Sequence, residues 1–411
     1  MRHEVNVDIA IIGGGIAGLW LLNKLQNQGY SAILFENKAL GSDQSIASQG
    51  MIHGGLKYAL SGILNGASEA VADMPQYWRD CIAGKADIDL SKTRLLSKEF
   101  NMWSTGSAGS KMTSFFATKA MRGRIDKLKK PDYPAAFQNK AFKGYVYRLV
   151  DIVLDVPSLL SNLQSNCPHS TFNIDWQHAS WQQGDNGSVE ALNIDNGEDC
   201  IAIKAQRFVL TAGKGNADLM QALNIHKTKM QIRPLQQVLV KHKYDLELYA
   251  HCVDMSLNSS PRLTVSSHRC SDGKTVWYLG GDLATNGLDD SPETLITKAK
   301  DELNKLFPWL DFSDAEWSTI KVDRAEPKQK TLTKPDQAFA ETSPDAPNVI
   351  VAWPTKLTLA PNLSDTVVEQ LTEDGITPHP STNIEALNYL GNPAISQPIW
   401  ETYFKSTSAG E

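Results

Sequence analysis

The stretch "VNVDIAIIGGGIAGLWLLNKLQNQGYSAILFE", residues 5–36, constrains the fold more than any other part of the chain. Residues 5–12 are apolar and β-branched without alternation, as in a strand buried on both faces of a parallel sheet. Gly13, Gly15 and Gly18 follow at once in G-x-G-x-x-G spacing, and Leu19, Leu22 and Leu25 then keep helical spacing until Gly29. A second strand, "SAILFE", ends at Glu36, a little over twenty residues after Gly13. That order gives each residue a physical task. Gly13 permits the tight turn, Gly15 lets the main chain approach a pyrophosphate, and Gly18 lets the helix pack on the strand. Ile16 and Ala17 open the helix whose N-terminus faces the phosphates, while Glu36, followed by Asn37, accepts from an adenosine ribose. A 2′-phosphate is disfavoured because it would repel the carboxylate. The motif is a dinucleotide site.

Composition narrows the setting. A chain of 411 residues suits two domains, and 41% hydrophobic with 21% charged residues is ordinary for a globular protein. The net charge of −6 supplies no positive field for nucleic acid, so no such partner is expected. Cys81, Cys167, Cys200, Cys252 and Cys270 are scattered and odd in number, which fits reduced thiols in a cytoplasm. No His/Asp/Glu spacing suggests a metal, no cleavable signal opens "MRHEVNVDIAII", and no apolar run is long enough to span a bilayer. The expectation is a cytoplasmic enzyme without a metal.

Two later segments bear on which dinucleotide is bound. "RFVLTAGKGN" (207–216) reads as a strand running into a turn at Gly213, preceded by hairpin-like strands in "VEALNIDNGEDCIAIKA". "NVIVAWPTKLTLAPNLSDTVVEQL" gives another buried strand, a turn with Pro354, and a helix. Together with "VLDVPSLLSNLQ", "QIRPLQQVLV" and "WYLGGDLA", these resemble the FAD-binding fold of the D-amino-acid oxidase superfamily. The resemblance implies FAD as cofactor and a late helix whose N-terminus faces the flavin pyrimidine ring. It also implies an α/β fold: a Rossmann-like FAD-binding domain of the glutathione-reductase type, with an inserted α+β substrate domain on an antiparallel sheet.

Within the superfamily, "SQGMIHGGLKY" is similar to glycerol-3-phosphate dehydrogenases and oxidases, which carry Ile-His-Gly-Gly followed by a basic and an aromatic residue. The related Ile-His-x-Gly-x-x-Tyr of L-2-hydroxyglutarate dehydrogenases is also matched. "PTKLTLAP" resembles their Gly-Gly-Lys-x-Thr turn, with Pro354-Thr355 standing where they have Gly-Gly, and "VDRAEPKQ" resembles their Arg-Pro segment. Carried over, this implies catalytic roles for His53, Arg324 and Lys356, and substrate contacts from Lys57 and Tyr58. Lys57 replaces the usual Arg and lacks its bidentate fork. The implied cofactor contacts are Ser45, Ser48, Gln49, Gly50, Ile52 and Gly54 around the histidine, and Thr355, Lys356, Leu357 and Thr358 in the late turn. The paired glycines at 54 and 55 are expected to let the main chain pass close to the isoalloxazine.

The expected organisation is discontinuous. Residues 1–80, 150–222 and 318–375 form the FAD-binding domain, 81–149 and 223–317 the substrate domain, and 376–411 a surface tail. "SKMTSFFATKAMRGRIDKLKK" sets seven basic residues against Asp126 and has two readings. One is a solvated lid over the active site. The other is a basic amphipathic helix in 111–130 that touches an anionic membrane, where a quinone would wait, or receives a large anionic substrate. Oxygen and a quinone both stay open as electron acceptor. The expected reaction is oxidation of a small anionic hydroxy compound by hydride transfer to flavin N5. The alternatives are an amino acid or amine oxidase, a modifier of a larger substrate, and a non-catalytic flavin-binding protein.

Overall fold

The computed structural model describes residues 2–55, 71–105, 125–195, 197, 200–253, 261–328 and 337–404. β1 (Arg2–Ile12), α1 (Ile16–Asn27) and β2 (Ala32–Glu36) are the unit read from the first motif. β3 (Met51–Ile52), α2 (Met74–Ile82), β4 (Leu95–Ser97) and β5 (Phe100–Ser104) precede β6 (Ile125–Lys127), β7 (Tyr145–Leu149) and β8 (Ile152–Leu154). The chain returns through α3 (Val156–Asn166), β9 (Thr171–Asn173), β10 (Ala179–Gln183), β11 (Val189–Asp195), β12 (Cys200–Leu210) and α4 (Asn216–Ala222). Next come β13 (Met230–His242), β14 (Ala250–Cys252), β15 (Leu263–Arg269), β16 (Thr275–Gly280), α5 (Asp282–Asn286), α6 (Pro292–Leu306) and β17 (Glu316–Pro327). β18 (Phe339–Ser343), β19 (Ala346–Trp353), α7 (Ala360–Glu373) and α8 (Ile399–Thr402) follow.

The first sheet has β1 at its centre, paired in parallel with β12 from Arg2↔Cys200 to Ile12↔Leu210 and with β2 from Ile9↔Ala32. β9 adds in parallel outside β2, and β19 pairs in parallel with the second half of β12. The antiparallel hairpin β10–β11 leans on the first half of β12. The lack of alternation in β1 has a direct cause: both faces are covered. Ile9 and Ile11 pack with Leu19 and Leu22 of α1 and Val367 and Leu371 of α7. Val7, Ala10 and Ile12 face the other way, into a core with Phe35, Phe172 and Phe208. Both layers are buried.

The second sheet runs β17-β13-β16-β15-β14-β5-β7-β6 and is antiparallel except between β14 and β5. One face carries Val238, Val240, Trp277 and Leu279 under Leu295, Ala299 and Leu303 of α6. Its other face, with Leu239, Tyr278, Ile320 and Val322, joins the α1 core, so period-2 alternation here separates the α6 layer from the α1 layer. A small third sheet, β3-β8-β4, lies apart from these two. Among the described residues no helix is long and apolar enough to cross a membrane. The basic segment falls mostly at 106–124, outside the described residues, and only its end emerges as β6.

Two boundaries differ from expectation. Residues 318–327 were assigned to the FAD-binding part, but β17 pairs with β13 along its whole length, from Met230↔Pro327 to Lys241↔Glu316. The physical reason is register: the strand's alternating residues complete the second sheet's two faces. The segment after residue 375, expected to be a surface tail, is also partly core. Leu387, Ile399 and Trp400 are buried, and the Trp400 ring stacks on His268 at 4.1 Å with an interplanar angle of 18°. His379 fastens the same segment to the start of β1, its amide donating to Asp8 at 2.8 Å.

Asp8 is a buried anion satisfied by hydrogen bonds. It also accepts from the Ser31 amide (2.9 Å), the Ser31 hydroxyl (2.9 Å) and Gln206 (2.6 Å). Burial pushes its carboxyl up, but the amides of His379 and Ser31 and the two side chains outweigh this and hold it below the usual 3.8. A depressed folded value means stability that is present above pH 3.8 and lost as pH falls below it. Asp8→Asn turns an NH2 toward these donors and should cost about 1–3 kcal/mol at neutral pH. Its stability should also fall less steeply than wild type below pH 3.8; thermal unfolding across pH checks both.

Candidate active site

A cleft of about 1090 Å3 lies along the C-terminal ends of the first sheet's parallel strands and is closed on its far side by β13 and β17. Ligands of open α/β sheets bind at this end. Its volume matches the upper end of the roughly 300–1,000 Å3 typical of small-molecule and cofactor sites.

The floor is the turn after β1. Gly13 has φ +113°, and a Cβ there would lie 2.5 Å from the Ala212 main chain, so no other residue fits without moving the turn after β12. A Cβ on Gly18 would meet the Gly13 carbonyl oxygen at 2.0 Å, which is the helix-on-strand contact assigned to it from sequence. Gly13 N donates to Phe35 O at 2.8 Å, and Thr211 Oγ1 donates to Gly13 O at 2.8 Å. Glu36 accepts from Gly14 N at 2.6 Å on one oxygen and from Lys38 N at 2.8 Å on the other. A carboxylate has about four lone-pair sites, so both oxygens retain capacity for ribose hydroxyls. Ser45 Oγ accepts from Ile16 N at 3.0 Å and holds the loop 37–50 against the start of α1. Glycine floor, helix N-terminus and paired carboxylate together fit a dinucleotide with its pyrophosphate over α1.

The late turn is strained. Thr355 has φ +60°, left-handed for a β-branched residue, and Lys356 N donates to Pro354 O at 2.7 Å across it. Such a residue costs on the order of 1–3 kcal/mol and persists only where its surroundings hold it. Here Thr355 Oγ1 donates to Gln337 O at 3.1 Å, and Thr358 and Leu359 are buried below. The turn puts Lys356 and Leu357 on the cleft wall and starts the short 3-10 helix Leu357–Leu359 that runs into α7.

Of the residues singled out from sequence, Gly13, Gly15, Ile16, Ala17, Glu36, Asn37, Ser45, Ser48, Gln49, Gly213, Arg324, Thr355, Lys356 and Leu357 line this cleft. Gly18, Gly50, Ile52, His53, Gly54 and Thr358 do not. Lys57 and Tyr58 lie outside the described residues. His53 is 5% exposed and sits behind the wall, its amide donating to Thr358 Oγ1 at 3.2 Å, so it is tied to the turn that presents Lys356. Gly54 N donates to buried Asp151 at 2.9 Å, a Cβ at Gly54 would have ordinary 3.4 Å contacts, and the steric demand falls on Gly55 at φ +80°. On the opposite wall, Arg324 Nε donates to Arg233 O at 3.0 Å. Glu326 is engaged by Arg233 at 2.8 Å and by Gln231, which keep its carboxyl low although burial pushes it up.

Several wall residues had no sequence signal. Trp176 and Trp181, with ring centroids 5.7 Å apart, line the cleft together with Glu36 and Asn37; in sequence they look like ordinary core aromatics. Asn216 holds the β12–α4 turn, accepting from Ala212 N at 2.8 Å and donating to Leu210 O and Ala352 O. Lys38 and Lys214 both reach Asp43 on the wall, at 3.8 and 3.3 Å.

Fold and cleft define an α/β dinucleotide-binding protein with a second sheet closing the cleft. Residues 8–352 match the family described as FAD dependent oxidoreductase, whose short name is DAO. The chain is 44% identical over 405 residues to the probable FAD-dependent oxidoreductase PA4991 of Pseudomonas aeruginosa, covering 98% of this chain and 100% of that protein. The crystal structure of PA4991 superposes with a TM-score of 0.83 at 40% identity, covering 98% of this chain and 99% of that one. A dithionite-reduced L-alpha-glycerophosphate oxidase from Mycoplasma pneumoniae with FAD bound shares the fold, at TM-score 0.62 and 14% identity over 95% of this chain and 99% of that one. The chain belongs to the FAD dependent oxidoreductase family, and FAD is its cofactor.

Glu36 then has a measurable role. A hydrogen bond to a charged acceptor contributes about 1.5–3 kcal/mol. Glu36→Gln removes the charge and turns an NH2 toward either Gly14 N or Lys38 N, so the Kd for FAD should rise roughly 10- to 100-fold. Fluorescence titration of apoprotein with FAD measures it.

Proposed function

We propose that the protein oxidises a small anionic hydroxy compound, of the glycerol-3-phosphate or 2-hydroxy-acid type. The observation that carries this reading is the pair of cations on one cleft, Arg324 from the second sheet and Lys356 from the late turn, with His53 anchored behind that turn through Thr358. Bound FAD supplies the hydride acceptor, N5. Arg324 and Lys356 hold the substrate anion, and Lys356 also offsets negative charge at the pyrimidine end of the ring. His53 accepts the hydroxyl proton as the hydride leaves carbon. The same cations would hold the carboxylate of an amino acid, which is the competing substrate class. Stopped-flow reduction of bound flavin by α-hydroxy acids, polyol phosphates and amino acids separates the classes. Fastest reduction by a hydroxy anion is expected. Reduction by amino acids alone overturns the reading, and reduction by none of the three points to a non-catalytic flavin-binding protein.

Two substitutions test the roles. His53→Ala should retain FAD and slow single-turnover flavin reduction by roughly two to four orders of magnitude, the range for general acid–base catalysis. A variant reduced at the wild-type rate removes His53 from proton transfer. Lys356→Met should make the bound flavin harder to reduce, because a cation near N1–C2=O stabilises the anionic reduced ring. An unchanged midpoint potential in FAD-loaded Lys356→Met takes Lys356 out of contact with the ring.

A further inference from the structure

Gln49 lines the cleft, yet its amide is held from the second sheet. Both of its N–H groups are used: Nε2 donates to Ser266 Oγ at 3.1 Å and to the Tyr278 carbonyl at 3.2 Å. A main-chain carbonyl only accepts, so Tyr278 fixes which end of the amide is nitrogen. Ser266 Oγ accepts from Gln49 and lies 3.3 Å from His268 Nε2, within hydrogen-bond reach of it. Burial holds His268 down to about 3, so the ring stays neutral at working pH. Above it lies the stacked ring of Trp400, whose carbonyl accepts from Cys270 Sγ at 3.7 Å. Charged groups near this stack are at its rim: Lys241 pairs with Asp272 at 2.7 Å, and Glu401 accepts from Ser271. Asp155 and Arg94, paired at 2.8 Å, act on His268 in opposite directions. Gly280 leaves room for the remaining end of the amide, since a Cβ there would lie 3.0 Å from Gln49 Oε1.

We propose that Ser266 is a positioning residue for Gln49: the Tyr278 carbonyl sets which end of the amide is nitrogen, and Ser266, backed by the Trp400–His268 stack, holds it there so that the cleft is offered a carbonyl oxygen, a hydrogen-bond acceptor only. A fixed acceptor beside the isoalloxazine favours the ring state with more N–H donors, which is the reduced one. The C-terminal segment thereby acts on flavin reactivity without touching the cofactor. The inference rests on the proposed function, with the isoalloxazine lying in this cleft beside Gln49.

The test is the midpoint potential of FAD-loaded protein, read by dye-equilibrated reduction, alongside its thermal midpoint. No substrate is needed, so failure of the substrate assignment leaves the outcome interpretable. Ser266→Ala leaves the amide nitrogen on the Tyr278 carbonyl alone, loosening the side chain, and should keep FAD while weakening the preference for the reduced ring about 3- to 10-fold, the scale of one hydrogen bond. Ser266→Thr keeps the hydroxyl and should restore the wild-type potential. Gly280→Ala pushes on Oε1 from the other side and should lower the potential in the same direction. A wild-type potential in Ser266→Ala, or equal shifts in the Ala and Thr variants, overturns the proposal. Should Ser266→Ala fail to accumulate with FAD, Gly280→Ala decides, and an unchanged potential there overturns it.

Discussion

One carboxylate holds the geometry on which the rest depends. Glu36 clasps Gly14 N and Lys38 N, so the end of β2, the turn after β1 and the loop that follows are tied at a single point. The clasp aims the start of α1, positions Ser45 against it, and sets the glycine floor of the cleft. Neighbouring constraints are steric. The chain just after β12 comes so near Gly13 that the turn has no latitude, and Thr211 completes it from that side. Opposite this floor, residues of β13 and β17 from the second sheet close the cleft.

The β1–α1–β2 unit was legible because its causes are local. A strand covered on both faces must be apolar throughout, and the turn tolerates only glycine at its tightest points. The late strand and turn were legible for the same reason. What could not be read depends on partners far along the chain. β17 joins the second sheet through pairs such as Arg233↔Arg324, and no local feature of "VDRAEP" says which sheet accepts it. Leu387 and Trp400 are isolated apolar residues in polar, Pro-containing sequence, so no period marks them as core. Trp176 and Trp181 could not be told from packing residues. The His-Gly-Gly run stands out in the sequence, but its bond from Gly54 N to Asp151, 97 positions on, and the left-handed backbone at Gly55 do not.

The candidate site concentrates its strain at one residue. Thr355 adopts a backbone that glycine would take easily, and its hydroxyl is fastened to Gln337 O. A glycine would leave the turn soft. Threonine makes it stiff, and the stiffness is passed to Lys356 and, through Thr358, to the His53 main chain. Lys24 braces the same region from below, joining α1 to Asp87 at 2.6 Å and to Asp365 of α7 at 2.8 Å.

The fastening of Asp8 by His379 bears on how the central strand is held. The two residues are separated by 371 positions. The buried anion on the central strand therefore receives one of its donors only when two distant parts of the chain meet, and ordering so long an intervening loop carries an entropic cost. The Asn6–Thr382 bridge crosses a similar separation. None of the ladder pairs of β1 with β2 and β12 needs that contact, so the segment around His379 works as a latch on a sheet whose strands are paired without it. Unfastening it would bare the carboxylate while leaving those pairs in place.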